Sequence, residues 1–351
     1  MTNQLSMRRK RLLFWGGGLF LCLLFSVSTA VSLGSADIDP WTVWKVIITR
    51  LMGVSPQVTG VDEASVAIVW QLRLPRVLLA AVVGASLALA GVIFQGLLKN
   101  PLADPYILGV SSGSAVGAVL AILTGWGISW FGKWTVPAFA FIGACLALFL
   151  VVRLARTDAG VRTESLILSG VVVNAFFGAV LTFAISISRE DLLQRIQFWL
   201  MGSFTLREWD HVWIVIPFLC IGLTVGLLMS RELNLLTLGD RPAYHLGVSV
   251  LHIRLFLLIT ASLVTAVAVS VSGTIGFVGL VIPHVIRLLT GADHRTLLPL
   301  SVLAGAVFLV WGDCLARSLL NPAELPVGAV TAFAGAPFFG YILRKHRHKL
   351  N

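Results

Sequence analysis

The feature that most limits what this chain can fold into is a succession of apolar runs, each about 16 to 24 residues long, recurring from residue 12 almost to the end. A helix rises about 1.5 Å per residue, so runs of this order are long enough to cross a hydrocarbon layer about 30 Å thick. Ten can be marked, near 12–33, 77–98, 106–123, 134–152, 165–187, 211–229, 255–272, 275–290, 296–316 and 326–343. In lipid the backbone has to satisfy its own hydrogen bonds, and continuous runs of this length do so as helices. The expectation is an all-α, polytopic membrane helix bundle of ten transmembrane helices, one membrane domain over residues 1–351. A composition 57% hydrophobic and 12% charged, against about a quarter charged in soluble domains, agrees.

The net charge of +10 does not point to nucleic acid, because the basic residues are scattered between apolar runs instead of gathered on one soluble surface. Their distribution carries orientation instead. With an even number of spans both ends share a side; if that side is the cytoplasm, 17 of the 26 Lys and Arg fall on inner segments. This positive-inside asymmetry places both termini in the cytoplasm. The first run is longer than a signal-peptide core and reads as a retained span. Cys22, Cys145, Cys220 and Cys314 all lie within apolar runs without metal-ligand spacing and read as small core residues.

Between the sixth and seventh runs lies a polar interruption, Arg231 to Arg254. Gly239 and Pro242 bracket a corner there, since Gly accepts positive φ and Pro cannot continue a helix from its N-terminal side. Two short helices are expected, 233–238 and 242–248, on the cytoplasmic side and presented to a partner. Outside the bilayer on the other face, residues 41–52 have the spacing of an interfacial helix with Trp41 and Trp44 at headgroup depth, and 191–200 form a second short helix. Glycines recur at helical spacing within the runs (84, 91 and 96; 113 and 117; 273, 276 and 279), which predicts closely packed helices.

No phosphate loop, metal-binding HExxH helix or nucleophile elbow occurs, so the chain carries no recognisable catalytic machinery, and no cofactor is expected on it. Central ionisable groups are few, which disfavours an ion-coupled secondary transporter. Asn174 is the clearly central polar side chain and either satisfies a neighbouring helix or lines a pathway. Asp313 and Arg317, four apart, are placed for a local ion pair.

Four stretches carry a resemblance to a family: LRLPRVLLAAVVGASLALAGVIFQGLLKNPLADPYILGVSSGSAVGA from Leu72, NLLTLGDRPAYHLGV from Asn234, SGTIGFVGLVIPHVIRLLTGADHRTLLP from Ser272 and AELPVGAVTAFAGAPFF from Ala323. Over residues 66 to 351 the chain resembles the FecCD-like permeases, the membrane subunits of type II ABC importers for iron-siderophores and vitamin B12. The resemblance implies a permease, not an enzyme, that works as a homodimer or with a homologue in a bacterial cytoplasmic membrane. A pair of ATP-binding subunits below would hold ATP and Mg, and a substrate-binding protein would dock above. It implies that Leu238, Gly239, Asp240, Arg241, Ala243, Leu246 and Gly247 form the ATPase-coupling surface. Arg73, Arg76 and Arg317 would receive carboxylates of the binding protein, as unpaired guanidinium groups at an outer surface. Asn100, Leu102 and Thr163 map onto an inner gate, where Glu164 and Ser165 depart from the B12-permease pattern. Asn174, Phe176, Phe177, Gly178, Thr331 and Phe333 would lie near the translocation path. The cargo implied is an iron-siderophore complex, with haem and cobalamin as alternatives.

Overall fold

The structure is a computed structural model and describes residues 2–34, 38–53, 60–157, 160–320 and 323–347. Parts of the outer segment (35–37 and 54–59) and the end of the basic C-terminal tail therefore lie outside the described residues. Each of the ten apolar runs is carried by a helix. They are α1 (Thr2–Ser32), then, after the interfacial α2 (Pro40–Leu51), α3 (Glu63–Leu97), α4 (Val110–Thr124), α5 (Thr135–Ala155) and α6 (Thr163–Ser186). After α7 (Glu190–Met201) come α8 (Trp209–Leu228), the short pair α9 (Ser230–Thr237) and α10 (Asp240–His245), then α11 (Val250–Ser272), α12 (Val278–Thr290), α13 (His294–Ser318) and α14 (Val327–Arg347). Among the described residues, seven helices are long and apolar enough to cross a membrane; Val110–Thr124, Val278–Thr290 and Val327–Gly340 are shorter apolar helices. A two-residue ladder pairs Arg156 with Val161 between α5 and α6.

α3 departs from the expected span. It begins at Glu63, not near 77, and passes through a π-helical stretch, Ala67–Arg73. Trp70, Gln71 and Arg73 made this stretch look like loop, yet Asp62 caps its start by accepting from the Ser65 N–H at 2.9 Å. α3 is the centre of the bundle: nearly every residue from Leu74 to Leu97 is buried. It packs against α8, α11, α12 and α13. Close approach makes this possible. A Cβ on Gly84 would lie 2.2 Å from the Gly305 carbonyl of α13, and one on Gly113 2.3 Å from the Gly143 carbonyl of α5, so no side chain fits at either crossing. Leu146, Phe149, Phe183 and Ile221 stay uncovered on the outside, as side chains facing hydrocarbon do.

The α3 axis separates two polar ends. The residues from Leu74 to Leu97 span about 36 Å of helix. Arg73 and Arg76 stand at one end; Lys99, just past the other, meets α10. The arginine cluster and the bihelical corner therefore occupy opposite ends of the bundle.

Candidate functional site

At the corner end, α9 buries Ser230, Leu233 and Leu236, spaced three apart on one helix face, and exposes Arg231 and Thr237. Asn234 locks it to the start of α13: its Nδ2 donates to Asp293 Oδ1 at 2.8 Å and its Oδ1 accepts from the His294 backbone N–H at 3.0 Å. Gly239, with φ of 123°, turns the chain into α10, a conformation that a side chain would strain. Arg241, Leu246 and Gly247 are exposed, as is Leu238 beside the turn. Tyr244, 70% exposed, joins them and was not singled out from sequence; a large ring on a polar excursion was the available signal.

Two of the residues expected to meet the ATPase are turned inward. Ala243 is fully buried and cannot meet a partner; its carbonyl accepts the Val248 N–H at 3.0 Å, and its small side chain lets α10 sit on the bundle. Asp240 is turned onto its own chain. Its Oδ1 accepts from Arg254 Nη2 at 2.6 Å and Lys99 Nζ at 2.5 Å, while Arg254 Nη1 donates to the Val161 carbonyl at 3.1 Å. Burial by itself would raise the Asp240 carboxyl, but the hydrogen bonds from Arg254 and Lys99 hold it below the usual carboxylate range.

This chain of contacts reaches both segments of the expected gate. Lys99 precedes Asn100 in the turn after α3, and Val161 lies two residues before Thr163, the first residue of α6. Within the turn, Asn100 Oδ1 accepts from the Leu102 N–H at 2.9 Å, so its side chain shapes the loop, and Leu102 is exposed. Asp240 thus joins the corner to the turn after α3 and to the start of α6 in one network. No spacing rule links positions 99, 161, 240 and 254, so the sequence did not reveal it.

At the opposite end the expectation of unpaired guanidinium groups is corrected. Arg76 engages Asp313 through Nε at 3.0 Å and Nη2 at 2.9 Å, and Glu324 through Nη1 at 2.9 Å. Arg317 pairs with Asp313 at 3.1 Å and donates to the carbonyls of Leu33 and Ala30. Arg73 is buried and donates to the carbonyls of Val31 and Ser32, both at 2.9 Å. A desolvated guanidinium is costly without acceptors, and the end of α1, Asp313 and Glu324 supply them. The three arginines do come together, against two carboxylates, but as the joint between α1, α3 and α13.

The path residues divide. Phe177 is buried inside the bundle, whereas Phe176 and Phe333 are exposed; Thr331 is buried, and Gly178 half-buried. Asn174 satisfies its neighbours: Oδ1 accepts from Ser112 Oγ at 2.7 Å, and Nδ2 reaches the carbonyls of Tyr106 and Ile107 at 3.4 and 3.3 Å. Its amide holds the 3₁₀ turn before α4 against α6. The four cysteines are free, and no group of His, Cys, Asp or Glu that could hold a metal ion occurs among the described residues.

The sequence profile of the FecCD transport family matches residues 20–345. The chain belongs to the FecCD transport family. The cobalamin import system permease protein of Halobacterium salinarum is 46% identical over 83% of this chain and 77% of its own length. The hemin transport system permease protein of Yersinia pestis is 37% identical over 95% and 96%. Among solved structures, a metal-chelate type ABC transporter in an inward-facing conformation superposes with a TM-score of 0.82 at 35% identity, covering 96% of this chain and 99% of that one. This FecCD protein is a multi-pass permease subunit of an ABC importer, with the type II fold; ATP hydrolysis in the family belongs to a separate subunit.

Proposed function

We propose that this permease passes an iron-siderophore complex inward across the bacterial cytoplasmic membrane by alternating access, driven by a pair of ATPase subunits bound at the α9–α10 corner. The observation that carries the reading is the corner itself. Its exposed Leu238, Tyr244 and Leu246 offer an apolar surface, while Asp240 ties that surface to the turn after α3 and the start of α6. A push on the corner then reaches both gate segments, and movement there shifts the bundle between outward and inward states. Both termini and the corner lie on the cytoplasmic side, where most of the basic residues fall.

The arginine end receives the binding protein. Asp313 is 1% exposed and stays with Arg76 and Arg317, but Glu324 is 38% exposed at its side chain. An incoming carboxylate would exchange with Glu324 on Arg76 at little cost in desolvation. A second permease copy, or a homologue, completes the path along α6 and α14, whose exposed Phe176 and Phe333 suit a weakly binding wall. Cobalamin and haem are the second reading, favoured by the names of the two relatives.

The test is reconstitution with the cognate ATPase and binding protein in liposomes. ATP-dependent accumulation of radiolabelled ferric siderophore is expected, and Arg241→Glu should dissociate or uncouple the ATPase. Accumulation of cobalamin or haem alone would overturn the cargo; uptake that needs an ion gradient and no ATP would overturn the mechanism.

A further inference from the structure

A cleft of about 510 Å³ opens at the arginine end, between the C-terminal half of α7 and the loop that leads to α8. Arg195, Trp199, Ser203, Thr205, Arg207 and Glu324 line it. The loop is well fixed: the Ser203 N–H donates to the Ser272 carbonyl at 2.8 Å and the Val327 N–H to the Gly202 carbonyl at 3.0 Å, which ties the cleft floor to the end of α11 and the start of α14. Arg207 Nε and Trp199 Nε1 are buried donors with no partner among the described residues. Burial also pulls the Arg207 pKa below its ordinary value, the signature of a cation held without a counter-charge.

The neighbouring carboxylates are all committed elsewhere. Glu208 and Asp210, one and three residues on, both accept from Lys133 Nζ at 2.6 Å. Glu324 on the rim is held by Arg76 and accepts from Thr205 Oγ1 at 2.7 Å. Although burial alone would raise it, hydrogen bonds from Arg76 and Thr205 keep Glu324 below the usual range, so it stays an ionised member of that pair. The buried Arg207 Nε and the Trp199 indole N–H are left open in a concave site with Arg195 exposed at its mouth, while the Glu324 carboxylate on the rim is already engaged by Arg76 and Thr205, so the cleft has donors that no group of its own satisfies.

We propose that this cleft takes a carboxylate group of the transported chelate as it enters the permease, with Arg207 and the Trp199 indole supplying donors at depth and Arg195 attracting the anion at the rim. The assignment to cargo rests on the permease reading above. Depth favours a small molecule, since the open donors lie below the surface of a cleft shared with α14, next to the proposed path. The site would favour anionic chelates over neutral ones of similar size.

The probe is citrate, measured for direct binding to the purified permease in lipid nanodiscs without ATPase or binding protein. Saturable binding is expected. Arg207→Gln should weaken it at least about tenfold and Arg207→Lys less, while neutral trimethyl citrate should not bind. Arg153→Gln, an exposed change in the last turn of α5, should bind as the unaltered protein does. Should Arg207→Gln fail to fold, Arg195→Gln on the exposed rim should weaken binding about threefold. Absence of saturable binding, or citrate affinity unchanged by these cleft substitutions, overturns the proposal. Because no transport is needed, that result leaves the uptake experiments above free to stand or fall separately.

Discussion

Replacing Asp240 by Ala removes the acceptor shared by Arg254 and Lys99, and the two losses differ in size. The Arg254 side chain is 3% exposed, and among the described residues its Nε has no partner, so without Asp240 the buried cation keeps, among those residues, the Val161 carbonyl. Breaking a fully buried pair by removing one partner costs about 3–5 kcal/mol. Asp240 itself is 46% exposed, so water can partly replace it, and a loss of about 2 kcal/mol is expected. Lys99 is half-exposed, and its share is below about 1 kcal/mol. Asp240→Ala should therefore destabilise by about 2–3 kcal/mol, with Lys99→Ala costing less than half of that. The functional readout is transport per ATP hydrolysed in the reconstituted complex. With the corner loosened from the turn after α3 and the start of α6, hydrolysis should continue while transport per ATP falls several-fold. Equal destabilisation by Lys99→Ala and Asp240→Ala, or an unchanged transport ratio in Asp240→Ala, would refute the clamp.

The pH dependence of the same clamp has a definite sign. The folded pKa of Asp240 is depressed, so its stabilisation is complete above the unfolded value near 4 and is lost as pH falls through the folded value. The stability gap between Asp240→Ala and the unaltered protein should stay flat from pH 5 to 8 and close only below about pH 4, as read from thermal unfolding across pH. Tyr244→Ala and Leu246→Asp change exposed side chains and should shift unfolding by less than about 0.5 kcal/mol while reducing co-purification of the ATPase. Ala243→Leu should do the reverse of a surface change, costing about 1–3 kcal/mol by overpacking. Gly305→Val should be worse, because its Cβ would lie 2.4 Å from the Gly84 carbonyl, and a monodisperse, fully active variant would contradict the α3–α13 packing.

The fold was largely legible because hydropathy in lipid works on whole segments: ten runs marked by composition alone became helices, and the Gly239 corner was visible from backbone chemistry. Features set by side-chain direction were not. Ala243 sits in a helix of six residues, too short for a periodicity to show which side faces inward. Phe177 and Phe176 are adjacent, and apolarity in a membrane does not distinguish lipid-facing from core-facing neighbours. The local pair of Arg317 with Asp313 was legible from its spacing, but the partners of Arg76 lie 237 and 248 positions away, beyond any local rule. The π-helical start of α3 was hidden because its polar residues mimic a loop.

The glycine crossings constrain how such a machine can move. Where α3 meets α13 at Gly84 and Gly305, and α12 at Gly91 and Gly279, backbone lies directly on backbone with no pliable layer between. These three helices have to travel as one slab. Any opening stroke must then be taken up at the periphery, by α6 and α14, which leave aromatic rings uncommitted on their outward sides. The stator of this transporter is written in residues that have no side chain.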